Sequence, residues 1–260
     1  MSGLPYTHVP SRRGQALRLE LPPVVATALR GAYRQVLDDG TALYALDFDA
    51  GRFHVDAFAA VAIACPDSVA RSVRKRQAEF LFGRLAARLA LLEALGPAQA
   101  QAEIAIGATR APCWPPGSLG SISHSEHCAA AVALPSGRRN GVGIDLEGVL
   151  APAARDAVLS VAIDAEEAAL LAAVAGAQWS HDALLTALFS AKESLFKAAF
   201  GVVGHYFDFA AARLCRVDIA GQRLHLRLTE TLCAQFACAQ VCKIGFMRME
   251  DDLLLTHYAW

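Results

Sequence analysis

Charge is sparse in this chain: Asp, Glu, Lys and Arg make up 19% of its 260 residues and nearly cancel, leaving a formal net charge of -1. No field of one sign surrounds such a molecule, which argues against a general nucleic-acid binder and makes any basic patch local. No uninterrupted apolar stretch approaches the length needed to span a bilayer, and residues 1–10 lack a basic start followed by an apolar signal core. The seven cysteines (Cys65, Cys113, Cys128, Cys215, Cys233, Cys238 and Cys242) are odd in number and contain no Cys-x-x-Cys pair. A disulfide framework is therefore not expected, and a reducing, cytoplasmic setting is. Cys113 and Cys128 lie in apolar or aromatic settings that suggest buried, inert thiols. No residue-level repeat is visible, and a hydrophobic content of 55% leaves disorder without support.

What is present reads as alternating helices and strands. A strand is expected at 42–48, followed by a long amphipathic helix from Asp67 to Gly96 with Phe80, Leu81, Leu85, Leu89 and Leu92 as its apolar stripe. The Pro- and Gly-rich segment 111–120 leads into 121–134, which reads as a strand pair or a strand with a small-residue turn, and a turn at 135–141 follows. The second half predicts helices at 165–175 and 182–200, strands near 213–219 and 224–228, and a terminal hairpin turning at Glu250-Asp251-Asp252.

Two stretches carry chemistry. In Gly141-Val142-Gly143-Ile144-Asp145-Leu146-Glu147 the period of two places Asp145 and Glu147 on one face and turns Ile144 and Leu146 into a core. Two carboxylates side by side on a buried strand need a cation. In the second stretch, a helical spacing of four stacks Phe189, Glu193 and Lys197 on one face, which adds a third carboxylate and an ammonium. A few hard oxygen ligands suit magnesium, which shares its remaining positions with water and substrate phosphates, and a lysine beside it suggests a pyrophosphate. The plainer alternative is two acids in solvent and an ordinary surface ion pair, worth a few tenths of a kcal/mol.

Taken together, the two stretches resemble the signatures of the 4′-phosphopantetheinyl transferases, in particular the longer Sfp/enterobactin-type class, whose marks are a Gly-x-Asp-x-Glu strand and a Trp/Phe-x-x-Lys-Glu-x-x-x-Lys helix. The likeness extends to Arg76-Gln77-Ala78-Glu79-Phe80-Leu81-Phe82-Gly83-Arg84, to Arg110-Ala111-Pro112-Cys113-Trp114-Pro115, and to Gly120-Ser121-Ile122-Ser123-His124-Ser125. Five motifs in order across roughly residues 70 to 210 are far more specific than any one alone.

The resemblance implies an α+β fold of two similar α/β subdomains related by a pseudo-twofold, with boundaries at 1–140 and 141–260 and the active site in the cleft between them. It implies Mg2+ on Asp145, Glu147 and Glu193, and coenzyme A as co-substrate. Arg76 and Arg84 would meet the phosphate-bearing end of coenzyme A, Arg110 the nucleotide's 3′-phosphate, and Ser123 and His124 the phosphates. Lys197 would share the pyrophosphate charge. Lys192 would hold the phosphates or face solvent. Glu193 would be a metal ligand, the base for an incoming serine, or both. The implied reaction moves phosphopantetheine to a serine of an apo acyl or peptidyl carrier protein, carried out by a monomer. Trp114 is expected to shape its loop, and Asp208 stands out from the aromatic run at 206–209.

Two other readings remain open at this stage. One is a non-catalytic coenzyme A or carrier-protein binding module of the same fold. The other is an unrelated magnesium-dependent nucleotide enzyme that uses Gly141-x-Gly143 as a phosphate loop, but such a loop opens a helix after a strand, and here the glycines precede an alternating strand.

Overall fold

A computed structural model describes residues 14–250 and 252–260. The reading of residues 1–10, and Asp251 of the expected hairpin turn, lie outside the described residues. The first half runs β1 (Gln15–Ala16), α1 (Pro23–Ala26), β2 (Leu29–Val36), β3 (Ala42–Phe48), α2 (Ala57–Ala60), α3 (Asp67–Ala70), α4 (Arg74–Leu95), α5 (Pro97–Ala100), β4 (Ala105–Ile106), β5 (Pro112–Cys113), β6 (Ser118–His124) and β7 (Cys128–Pro135). The second half runs β8 (Val142–Gly148), α6 (Pro152–Val161), α7 (Ala165–Val174), α8 (His181–Val203), β9 (Ala212–Asp218), β10 (Arg223–Leu228), β11 (Val241–Arg248) and β12 (Leu253–Ala259).

Each half builds one antiparallel five-stranded sheet, in the order β1-β2-β3-β7-β6 in the first and β8-β12-β11-β10-β9 in the second. The turn at 135–141 joins the last strand of one to the first strand of the other. Helix α4 packs on β7, β3 and β6, and α8 packs on β8, β12 and β11.

Strand alternation divides the interior into three cores. On β7, Ala129, Ala131 and Ala133 face α4, and Cys128, Ala130, Val132 and Leu134 face a central core shared by the two sheets. Val142, Ile144 and Leu146 of β8 enter that same central core, so Gly143, Asp145 and Glu147 are turned to the α8 side. The carboxylates thus lie between two helix-bearing faces. Among the described residues, no helix is long and apolar enough to cross a membrane.

The helix expected over 67–96 is broken at Arg71–Val73 into α3 and α4. The Gln77 amide donates to the carbonyl oxygens of Ala70 and Ser72, and the Ser72 hydroxyl donates to that of Val69. These side chains satisfy the free carbonyls that continued helix would have used. Strand β2 and helix α6 fall outside the expected elements. Residues Arg30, Gly31 and Arg34 interrupt the alternation of the first, and the second has no fully buried residue.

Candidate active site

The site is built where the edge strands β6 and β8 of the two sheets run side by side. Backbone ladder bonds do not join them. Instead, the Ile144 N–H donates to Ser121 Oγ at 3.0 Å and the Leu146 N–H donates to Ser123 Oγ at 3.1 Å. Both serines are buried. They satisfy amides that a sheet edge would leave unpaired, which fixes the register of β8 against the first half. Asp145 lies between those two amides in sequence, and Ser123 Oγ donates to its Oδ1 at 2.9 Å.

Helix α8 lies close against the opposite side of β8. The Ser180 hydroxyl caps its N-terminus by accepting from the Ala183 N–H, and Gly204, at φ +73°, ends it in the left-handed conformation. A Cβ on Gly143 would stand 2.0 Å from Ser194 O, and one on Gly141 would stand 2.1 Å from Ala198 O. The glycines are needed here for close approach of backbone to backbone. That closeness brings Lys197 Nζ to 2.6 Å from Asp145 Oδ1 and 3.2 Å from both Ser123 Oγ and Ile144 O.

One ammonium serves three carboxylates. Burial, then the charges of Asp145 and Glu193, push the Glu147 carboxyl up to about 7, with Lys197 opposing. Burial, then Asp145, raises Glu193 above its ordinary range as well. Asp145 Oδ2 is buried without a hydrogen-bond partner. Among the described residues no group of three His, Cys, Asp or Glu side chains is placed so as to hold a metal ion unaided. Lys197 occupies one oxygen of Asp145. The donor set fits a hard cation that takes part of its shell from a substrate: an orphaned carboxylate oxygen, and two acids whose burial beside Asp145 raises their proton affinity.

The wall contributed by the first half is basic. Arg76 Nη1 lies 2.5 Å from His124 Nε2 and 3.3 Å from Glu79 Oε2, and His124 Nδ1 lies 3.5 Å from the same carboxylate oxygen. Farther along α4, the Arg84 guanidinium donates to Ile104 O at 2.7 Å and lies 4.4 Å over the Phe80 ring. Burial, with Arg76 nearby, depresses its pKa to about 10. Arg110, at φ +67°, lines a pocket of about 400 Å3 with Trp114, Ser121, Phe196, Lys197 and Tyr206. Trp114 is seated on Gly120, where a Cβ would come within 2.4 Å of the indole. A second pocket of about 370 Å3, bounded by Glu193, Phe196, Tyr206, Phe207 and Phe209, lies on the other side of the Phe196–Tyr206 ring pair.

Two family models match this architecture: the 4′-phosphopantetheinyl transferase N-terminal domain over residues 66–134 and the 4′-phosphopantetheinyl transferase superfamily over residues 141–250. Enterobactin synthase component D of Salmonella typhi is 36% identical over 187 residues, which cover 72% of this chain and 74% of that protein. The chain belongs to the 4′-phosphopantetheinyl transferases. The 4′-phosphopantetheinyl transferase PptT of Mycobacterium tuberculosis is 36% identical over 56% of this chain and 61% of its own length. The 4′-phosphopantetheinyl transferase Svp of Streptomyces mobaraensis is 35% identical over 59% and 60%. The two matched regions meet at the turn 135–141, where the two sheets are joined.

Within this transferase, two expected phosphate ligands have other partners. Lys192 is buried, with its ammonium 2.8 Å from Glu167 Oε1 and 2.7 Å from Ala162 O. It ties α8 to α7 and reaches no phosphate in the cleft, because a desolvated ammonium is held by its carboxylate. Ser123 is the other. Its hydroxyl donates to Asp145 and accepts from Leu146 N and Lys197, which uses its one donor and both lone pairs. It positions the cluster.

Among residues without an assigned phosphate role, Asp208 caps the turn at 209–211 through the Ala210 N–H. Cys113 is exposed, contrary to expectation, and all seven cysteines are free. Two participants had no role in the sequence reading. Tyr206 borders both pockets, and Glu79 sits beneath His124. The spacing Arg76-x-x-Glu79, which pairs the two on one helix face, is the signal that points to Glu79.

Proposed function

We propose that this cleft transfers the 4′-phosphopantetheine group of coenzyme A to a serine of an apo carrier protein and releases adenosine 3′,5′-bisphosphate, with magnesium bound at Asp145, Glu147 and Glu193. The observation that carries this reading is the three-carboxylate, one-lysine cluster facing Arg76 and His124 across the β6–β8 seam. A pyrophosphate is an anion whose charge suits those walls.

The pyrophosphate would lie at Lys197, with its nucleotide end toward Arg76, Arg84 and Arg110. The pocket beside Glu193 has aromatic walls, and the one lysine that lines it, Lys192, is already paired. It suits the uncharged pantetheine arm. A divalent cation bound at the carboxylates would polarise the pyrophosphate oxygens and offset the charge gathered by the leaving phosphate.

The chain's own groups do the rest. Lys197 and Arg76 bind and orient the phosphates, and His124 braces the Arg76 guanidinium. Glu193, whose raised proton affinity suits a base, takes the proton of the serine hydroxyl as its oxygen bonds to phosphorus and the phosphorus–oxygen bond to the nucleotide phosphate breaks. Both walls come from one chain, α4 and β6 on one side and β8 and α8 on the other, so a monomer suffices. We place this protein in the cytoplasm, where seven free thiols persist.

A mass gain on an apo carrier serine, dependent on coenzyme A and on a divalent cation, tests the reaction; cofactor binding without any gain would favour a non-catalytic binding module.

The cation has a separate test. Glu147 is raised to about 7 in the folded chain, so the folded state holds that proton more tightly than the unfolded state does. Stability from this group is complete below the ordinary glutamate range and is lost as pH rises through about 7. Above that pH the carboxylates repel one another and a cation is most needed. Added magnesium should therefore raise the melting temperature more above pH 7 than below it. An equal gain on both sides, or none on either, would count against the metal assignment.

A further inference from the structure

Glu79 takes no part in the transfer as outlined, yet it is a buried carboxylate directly beneath two of the groups that do. Its Oε2 accepts from Arg76 Nη1 at 3.3 Å and lies 3.5 Å from His124 Nδ1. The third side of this triangle is the 2.5 Å contact between Arg76 Nη1 and His124 Nε2.

Arginine nitrogens only donate, so at that contact the ring nitrogen is the acceptor. The proton of the neutral imidazole is then on Nδ1, the side that faces Glu79. The other charges around the ring, Lys197 from α8 and Asp145 from β8, oppose each other. Glu79 is the group whose position selects the tautomer.

We propose that Glu79 is a positioning residue of this transferase: it fixes the Nδ1–H tautomer of His124 and holds the Arg76 guanidinium across the mouth of the cleft, ready for the phosphates of coenzyme A. The inference rests on the reading of the cleft as the coenzyme A site. Arg76 is otherwise a long, half-exposed side chain whose ordering would be charged to each binding event. Holding it beforehand moves that cost into folding. The conserved volume of Glu79→Gln keeps the packing and removes the charge that anchors both partners.

Two measurements decide it. In Glu79→Gln the KM for coenzyme A should rise roughly tenfold with kcat little changed, as expected when a preordered side chain is released. In a His124→Ala background the same substitution should cost much less, because the two residues act as a unit. A penalty of equal size in both backgrounds, or an unchanged KM, would overturn the proposal.

The second measurement needs no variant and no activity. Nitrogen NMR of the His124 ring in the ligand-free protein should find Nδ1 protonated and Nε2 bare; the reverse would overturn the proposal whatever the kinetics show. Should the parent transfer nothing from coenzyme A, the functional reading fails by itself and the tautomer still decides the role of Glu79.

Discussion

Asp145→Ala should abolish transfer while leaving a folded protein. Asp145 is the acid most enclosed by the cluster: its Oδ1 accepts from Ser123 and Lys197, and its Oδ2 is buried with no partner. Removing it takes one proposed cation ligand and frees Lys197 from its fixed position over the seam. Electrostatic groups preorganised for a phosphoryl transition state are each worth about 10²–10³ in rate. Losing a ligand and misplacing a lysine together should bring the rate down by about 10³ or more.

The fold should tolerate the change. Lys197 is partly exposed and can turn to water, and the Ser123 hydroxyl keeps its bond from Leu146 N. Circular dichroism and a melting curve close to the parent's would confirm that the loss is chemical. Near-normal turnover in the presence of magnesium would sink the assignment of Asp145.

The second large effect is expected at a residue with no side chain. Gly143→Ala puts a Cβ 2.0 Å from Ser194 O and 2.7 Å from Ala198 N, both backbone atoms of α8. No side chain can yield there, so the helix must lift off the strand. Overpacking of this kind costs about 3 kcal/mol or more, or about 10 °C in melting temperature for a chain of this size. Because Glu193 and Lys197 travel with α8, transfer should fall in the same variant. Gly201→Ala is the control. It lies in the same helix, nothing is within 4 Å of its Cβ position, and it should be neutral or slightly stabilising. Equal melting temperatures for Gly143→Ala and the parent would contradict the close approach of α8 to β8.

Much of this arrangement is legible in the sequence, for physical reasons that can be named. Strand β8 shows its faces because Val142, Ile144 and Leu146 are apolar and alternate with Gly143, Asp145 and Glu147, so a period of two assigns the acids to one side. The link from Glu193 to Lys197 follows from helical spacing alone. Other features depend on contacts that no local pattern encodes. The seam between β6 and β8 is held by serine hydroxyls, and nothing in Gly120-Ser121-Ile122-Ser123 announces that its side chains serve amides more than twenty residues away.

Lys192 shows a different limit. Helix α8 is buried on most of its circumference, with Leu184, Leu188, Ala191, Leu195 and Ala199 among its enclosed residues, so a lysine on it has no obvious solvent face. Its partner Glu167 belongs to the capping box of α7, where a glutamate at the third position already has a local explanation. A buried ion pair between two such residues becomes visible only once the helices are packed. The break between α3 and α4 is similar: Gln77 reads as an ordinary helix residue until its amide is seen capping the turn before it.

The most direct test of the account is the intact mass of an apo acyl carrier protein and an apo peptidyl carrier protein after incubation with this protein, coenzyme A and magnesium, beside a chelator control. The account predicts that at least one carrier gains the mass of a single phosphopantetheine group, that the gain disappears with chelator, and that Asp145→Ala does not produce it. A gain that survives full chelation would contradict the carboxylate–cation site, and no gain on either carrier would contradict the transfer itself.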